Sequence, residues 1–160
     1  MMRPQKVPFW AAFIGTGFGT GFCPVAPGTA GALLALLIWL GVDLLCPGGT
    51  VWWTTLFLLL FSIAAGVWAA GVLERYWGED PSRVTIDELA GTWMALLAVP
   101  SGKVWGAIAA FALFRFFDIY KPLGIRKMEN FKGGWGILMD DLLAGGYSFI
   151  LIIIGLCVIH

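Results

Sequence analysis

Three clusters of ionisable residues interrupt an otherwise apolar chain. Asp140 and Asp141 stand side by side where the glycine-rich stretch 133–136 runs into a long apolar segment. Asp87 and Glu88 open a second apolar run. Asp118 lies in a third, with Arg115 and Lys121 three residues away on either side. Ionisable groups within apolar helices are costly in lipid and mark a site by default. Several hard oxygen ligands in one place suit Mg²⁺ or Mn²⁺. The three clusters are therefore expected to meet. Asp87, Glu88, Asp118, Asp140 and Asp141 are the candidate metal ligands, and one of Asp87, Glu88, Asp118 and Asp141 would orient or deprotonate a water.

Each cluster also has a plainer explanation. Thr85 and Glu88 have the spacing of a capping box, with Thr85 as N-cap. Asp87 and Asp140 would favour a helix N-terminus for its dipole alone. Asp118 lies near a helix C-terminus, where negative charge is disfavoured, and its plain role is a salt bridge to Arg115 or Lys121. Adjacent helical residues point about 100° apart. Asp140 and Asp141 can then face one point only from a helix start.

Arg115 lies between Phe114 and Phe116 and needs an anion, which can be a carboxylate, a lipid phosphate or a substrate phosphate. Lys121 is the second candidate phosphate ligand. The segment 24–31 precedes a helix, so the backbone at Gly28 and the hydroxyl of Thr29 form a candidate phosphate loop. It lacks the Gly-Lys-Ser/Thr ending of a Walker loop. Several phosphatase chemistries are excluded. No cysteine precedes an arginine by six residues, and the single histidine, His160, ends the sequence.

The elements that must position these groups follow from composition. The chain has 160 residues, 59% hydrophobic and 12% charged, with a mean hydropathy of +0.86. A soluble domain is about 25% charged, so the expectation is an all-α integral membrane protein, a single domain over 1–160. Net charge is zero, which argues against nucleic acid as a partner. Cys23, Cys46 and Cys157 have neither metal spacing nor a disulfide framework. Residues 7–14 are too soon broken by glycine for a signal peptide.

Five crossings are expected, over 29–45, 51–73, 85–99, 104–120 and 140–159, packed as a compact bundle. Residues 74–83 read as a polar loop. The third helix covers only about 21 Å. Residues 15–31 are too rich in glycine and proline for an ordinary helix and are expected to be re-entrant or interfacial. With the N-terminus inside, nine of the ten basic residues, all but Lys103, fall on one side. Every candidate site residue falls on that side too. A small transporter or channel subunit is the competing reading, since buried carboxylates also serve ion pathways. Against it, the outer halves of the helices carry only Asp43 and Lys103.

The chain also resembles the phosphatidylglycerophosphatase A family. The resemblance rests on Gly-Thr-Gly-Phe-Gly-Thr-Gly over 15–21 with Pro-Val-Ala-Pro-Gly-Thr-Ala-Gly over 24–31, then on Ile-Asp-Glu-Leu-Ala-Gly over 86–91. It continues through Phe-Arg-Phe-Phe-Asp-Ile-Tyr-Lys-Pro over 114–122 and Gly-Gly-Trp-Gly-Ile-Leu-Met-Asp-Asp-Leu-Leu-Ala-Gly over 133–145. It implies a Mg²⁺-dependent phosphatase of the bacterial inner membrane that converts phosphatidylglycerophosphate to phosphatidylglycerol. The functional residues it implies are Asp87, Glu88, Arg115, Asp118, Lys121, Asp140 and Asp141, with Gly28 and Thr29 in the loop. Substrate and membrane lipids are the expected partners, and oligomeric state stays open.

Overall fold

A computed structural model describes residues 6–78, 81–130 and 133–159. Arg3 and Lys132, two of the residues that set the expected orientation, and the terminal His160 lie outside the described residues. Among the described residues there are six α-helices, two short 3₁₀ segments and no strand: α1 (Phe9–Gly15), α2 (Pro27–Leu45), α3 (Gly49–Trp77), α4 (Ile86–Leu96), α5 (Val104–Tyr120) and α6 (Gly134–Ile159).

The centre of the bundle is α4. Beyond its acidic first turn, α4 is apolar or small on every face, and such a stretch has no face for water. Accordingly Leu89, Ala90, Trp93, Ala95 and Leu96 are almost fully covered, and α4 packs against α2, α3, α5 and α6. The Trp93 indole N–H donates to the Ala35 carbonyl of α2 at 3.2 Å, which meets the one polar need of that side chain. The outer helices turn large apolar residues outward, among them Leu37, Phe57, Trp68, Trp105 and Ile154. An apolar exterior around a small-residue interior is the pattern that lipid selects.

Three helices are long and apolar enough to cross a membrane: α2, α3 and α6 over residues 134–158. The five expected crossings are thus supported for three. At 11 residues, α4 covers about 16 Å and ends at Leu96 instead of residue 99. α5 has 17 residues. The starts of α2 and α3 moved outward slightly, and two other boundaries moved further. α3 continues through Glu74 and Arg75 to Trp77, where a polar loop was expected. α6 begins at Gly134, six positions ahead of the expected start. α1 was unforeseen, because glycine-rich sequence follows its seven residues at once. It packs Ala11 and Gly15 against α3 and leaves Phe9 and Trp10 exposed.

A polar clasp closes the end of the bundle where α2 stops and α3 and α5 begin. Buried Asp43 accepts the Ser101 hydroxyl at 2.6 Å and the Gly102 N–H at 3.0 Å. The Ser101 oxygen accepts the Gly48 N–H at 2.8 Å. One carboxylate thereby joins the α2 terminus to the turn before α5 and, through Ser101, to the turn before α3. Asp43→Ala removes the acceptor of the Ser101 hydroxyl and the Gly102 N–H, which water can reach in its place, at a net cost of about 1 kcal/mol. The variant is expected to unfold at lower temperature in detergent, as read by a thermal melt, and to keep its turnover at low temperature.

Candidate functional site

At the opposite end, a cavity of about 290 Å³ is lined by residues from α2, α4, α5, α6 and the loop before α4. All three carboxylate clusters reach it. Gly28, Asp87, Glu88, Arg115, Asp118, Lys121, Asp140 and Asp141 line it. Thr29, the remaining candidate, is half-buried next to Gly28 and is not among the lining residues.

α4 brings Asp87 and Glu88 in its first turn. The capping box expected there does not form. Thr85 makes no side-chain cap bond to the helix, and Asp87 Oδ1 accepts the Glu88 N–H at 3.1 Å instead. Glu88 is thus free of capping duty and turns into the cavity. α6 brings the aspartate pair from well inside a regular helix, not from its start. The two side chains therefore diverge as helical geometry requires. Asp141 turns to α4, and Asp140 turns to Lys121.

This divergence divides the carboxylates. Ligand oxygens of Asp87, Glu88 and Asp141 lie within 4.8 Å of one another. Asp118 pairs with Arg115 across one turn of α5, and Asp140 pairs with the Lys121 ammonium at 2.6 Å. Lys121 reaches Asp140 because it takes a left-handed conformation (φ 46°) just past α5. Pro122 bars the helix from continuing.

Burial sharpens the electrostatics. Asp141 is 3% exposed and Asp140 7%. Glu88 Oε2 and Asp140 Oδ1 have no hydrogen-bond partner among the described residues. Like charges crowded at low dielectric are costly unless a cation sits among them. The donor set of the trio is all carboxylate oxygen, which suits a hard divalent cation. These residues fit a Mg²⁺ or Mn²⁺ site.

The cavity is also shaped for close approach. A Cβ at Gly28 would collide with the Glu88 carboxylate and stand 3.3 Å from the Arg115 guanidinium. The first turn of α2, whose N–H groups attract anions, thus abuts both the acidic trio and the arginine. Phe114 is fully buried beneath Arg115, with the guanidinium 6.0 Å from its ring. Sequence reasoning missed Pro81, Ser82, Val84 and Ile137, which line the cavity beside Ala26 and Pro27 of the expected loop. Pro81, Ser82 and Val84 lie just ahead of α4, and Ile137 stands one turn before Asp141 on α6, so position alone was their signal.

A family model described as phosphatidylglycerophosphatase A matches residues 13–156. A Bacteroides thetaiotaomicron protein that carries the provisional name phosphatidylinositol-3-phosphatase is 59% identical over 161 residues, covering 99% of both chains. Proteins named phosphatidylglycerophosphatase A from Haemophilus influenzae and Escherichia coli are 38% and 34% identical. They cover 87% and 84% of this chain, and 84% and 77% of their own lengths. No solved structure matches.

Proposed function

The chain belongs to the phosphatidylglycerophosphatase A family and is a phosphoric monoester hydrolase; from this premise we propose that it removes the terminal phosphate of phosphatidylglycerophosphate, in a Mg²⁺-dependent reaction at the cavity between α2, α4, α5 and α6. The observation that carries the reading is the junction of the Asp87–Glu88–Asp141 trio with Arg115 and Lys121 in one cavity. A phosphate monoester needs both kinds of group, since its oxygens bind cations while the attacking water must be oriented and deprotonated.

Asp87, Glu88 and Asp141 would hold the cation. When bound, it supplies Lewis-acid polarisation of the phosphoryl oxygens. Arg115 and Lys121 neutralise the charge that spreads over those oxygens in transfer. To do so they exchange their present partners, Asp118 and Asp140, for phosphate. Water attacks phosphorus, the ester P–O bond breaks, and the lipid alcohol leaves with the proton that the water gives up. One cavity carboxylate carries that proton; Glu88 and Asp140 each hold one buried oxygen without a hydrogen-bond partner among the described residues. The α2 N-terminus at Gly28 adds positive potential.

The acyl chains stay in the bilayer and only the headgroup enters. Of the described basic residues, Arg115 and Lys121 line the cavity, Arg83 stands between the lining residues Ser82 and Val84, and Arg75 lies in the last turn of α3, whereas Lys103 adjoins the Asp43 clasp. This bias supports a cytoplasmic cavity in the bacterial inner membrane. A second lipid deserves a place in the assay. The relative from Bacteroides thetaiotaomicron is named for phosphatidylinositol 3-phosphate, which is also a lipid phosphomonoester.

The test is phosphate release from each lipid by purified protein, with Mg²⁺ and with chelator, and then in membrane vesicles of both orientations. Release from phosphatidylglycerophosphate is expected, stopped by chelator, and confined to vesicles that expose the cytoplasmic face. Faster release from the inositol lipid would reassign the headgroup. No release from either lipid would sink the reading.

A further inference from the structure

The segment over 15–21 has no part in the chemistry above, yet it is tied to the residues that carry it. Its backbone turns back on itself through three successive left-handed residues, Gly17, Phe18 and Gly19. Thr16, fully buried, donates its hydroxyl to the Ala12 carbonyl at 2.6 Å and accepts the Gly19 N–H at 3.2 Å. The loop so formed offers two groups to the start of α4. The Gly15 carbonyl accepts the Thr85 N–H at 2.8 Å. The Thr20 hydroxyl oxygen lies 2.9 Å from the Thr85 hydroxyl.

The proton arrangement in that pair follows from the neighbours. Thr20 Oγ1 is also 3.1 Å from the carbonyls of Thr16 and Gly17. Carbonyls only accept, and a hydroxyl has one proton. The Thr20 proton therefore serves the loop, and Thr85 donates to Thr20. Thr85 is fully buried, and its hydroxyl is turned to Thr20 instead of capping α4. On its other side it meets α2, where a Cβ on Gly31 would come within 3.1 Å of Thr85 Cβ. A Cβ on Gly21 would strike the Arg83 carbonyl, so the loop also presses on the residues leading into Thr85.

Thr85 is thus held by main chain and side chain, two residues before Asp87 and three before Glu88. α4 is too short to be held by its own length. The angle of its first turn decides whether Asp87 and Glu88 meet Asp141. We propose that Thr20 and Thr85 are positioning residues, whose hydroxyl–hydroxyl bond sets the first turn of α4 and thereby the cation affinity of the Asp87–Glu88–Asp141 trio. The proposal rests on the metal-dependent reading given above. Groups that orient ligands from outside the ligand shell commonly alter metal affinity by about 10–100-fold.

The experiment is a Mn²⁺ titration of purified protein in detergent, read by electron paramagnetic resonance, beside a thermal melt and the Mg²⁺ dependence of phosphate release. Thr20→Val and Thr85→Val keep shape and remove the hydroxyl. Each is expected to weaken Mn²⁺ binding about tenfold, and to raise the Mg²⁺ needed for half-maximal release to match. The double variant should be no weaker than either single, because both lose the same bond. Thr20→Ser and Thr85→Ser should restore wild-type affinity. A purely structural role would lower the melting temperature while leaving affinity in the folded fraction unchanged, and that result overturns the proposal. Should Thr85→Val not fold, the half-buried Thr20→Val decides the matter alone, wild-type Mn²⁺ affinity counting against. Wild-type protein that releases phosphate without a divalent cation and binds no Mn²⁺ would remove the metal-dependent reading, and this proposal with it.

Discussion

Asp141→Asn is expected to fold, insert and lose nearly all phosphate release. Asp141 is the one member of the acidic trio that comes from α6, and it is buried. The amide keeps the size of the side chain and one oxygen, but removes the charge. A metal centre contributes several kcal/mol to a phosphoryl transition state. A site that loses about 4 kcal/mol of that turns over about 10³-fold more slowly. Stability should move the other way. Asp141 stands against Asp87, Glu88, Asp118 and Asp140, and neutralising it relieves repulsion at low dielectric. The expected signature is a melting temperature, in the absence of divalent cations, equal to or above wild type, with weaker Mn²⁺ binding and little product. Near-normal turnover at low Mg²⁺ would take Asp141 out of the reaction.

Gly145→Val is expected to lose both fold stability and activity, although residue 145 carries no chemistry. α4 and α6 cross backbone to backbone at this point. A Cβ on Gly145 would collide with the Gly91 carbonyl and come within 2.9 Å of Met94 Cβ. From the other side, a Cβ on Gly91 would collide with the Phe114 ring and lie 2.7 Å from the Asp141 carbonyl. Small residues let membrane helices approach this closely, and van der Waals contact is then the main attraction between them. A branched side chain at residue 145 forces α6 outward, at about 3 kcal/mol by the cost of overpacked cores. Asp141 lies one turn earlier on the same face of α6 and is carried away from Asp87 and Glu88. Gly146, the next residue, is the control. A Cβ there meets nothing within 4 Å, so Gly146→Ala should keep full activity and gain up to about 1 kcal/mol from helix propensity. Thermal melts and phosphate release on the two variants separate the cases. Equal melting temperatures for Gly145→Val and wild type would show that the crossing tolerates a side chain.

Local signals in the chain were sufficient for some of this structure. Hydropathy alone marks α2, α3 and α6 as spans, because burial in lipid depends on the side chains of one segment and not on what it touches. The basic bias and the three acidic clusters place the chemistry at one end for the same reason. The motifs over 15–31, 86–91, 114–122 and 133–145 carried the family. What the sequence left open was partner choice. Asp87, Glu88, Asp118, Asp140 and Asp141 look alike in a linear chain. Only the packing of α4 against α6 makes three of them a trio, while the end of α5 gives Asp118 and Asp140 to Arg115 and Lys121. The start of α6 at Gly134 was hidden because glycine reads as a turn wherever its neighbours are unknown. In the fold, Gly134 lies against Val67 of α3 with no room for a Cβ. Thr85 and Glu88 had the spacing of a capping box, a preference of a solvated helix end. Here the helix end is buried, and a hydroxyl on a loop 65 residues away competes for Thr85. Long-range competition of that kind leaves no trace in residue spacing, so it was decided by tertiary structure alone.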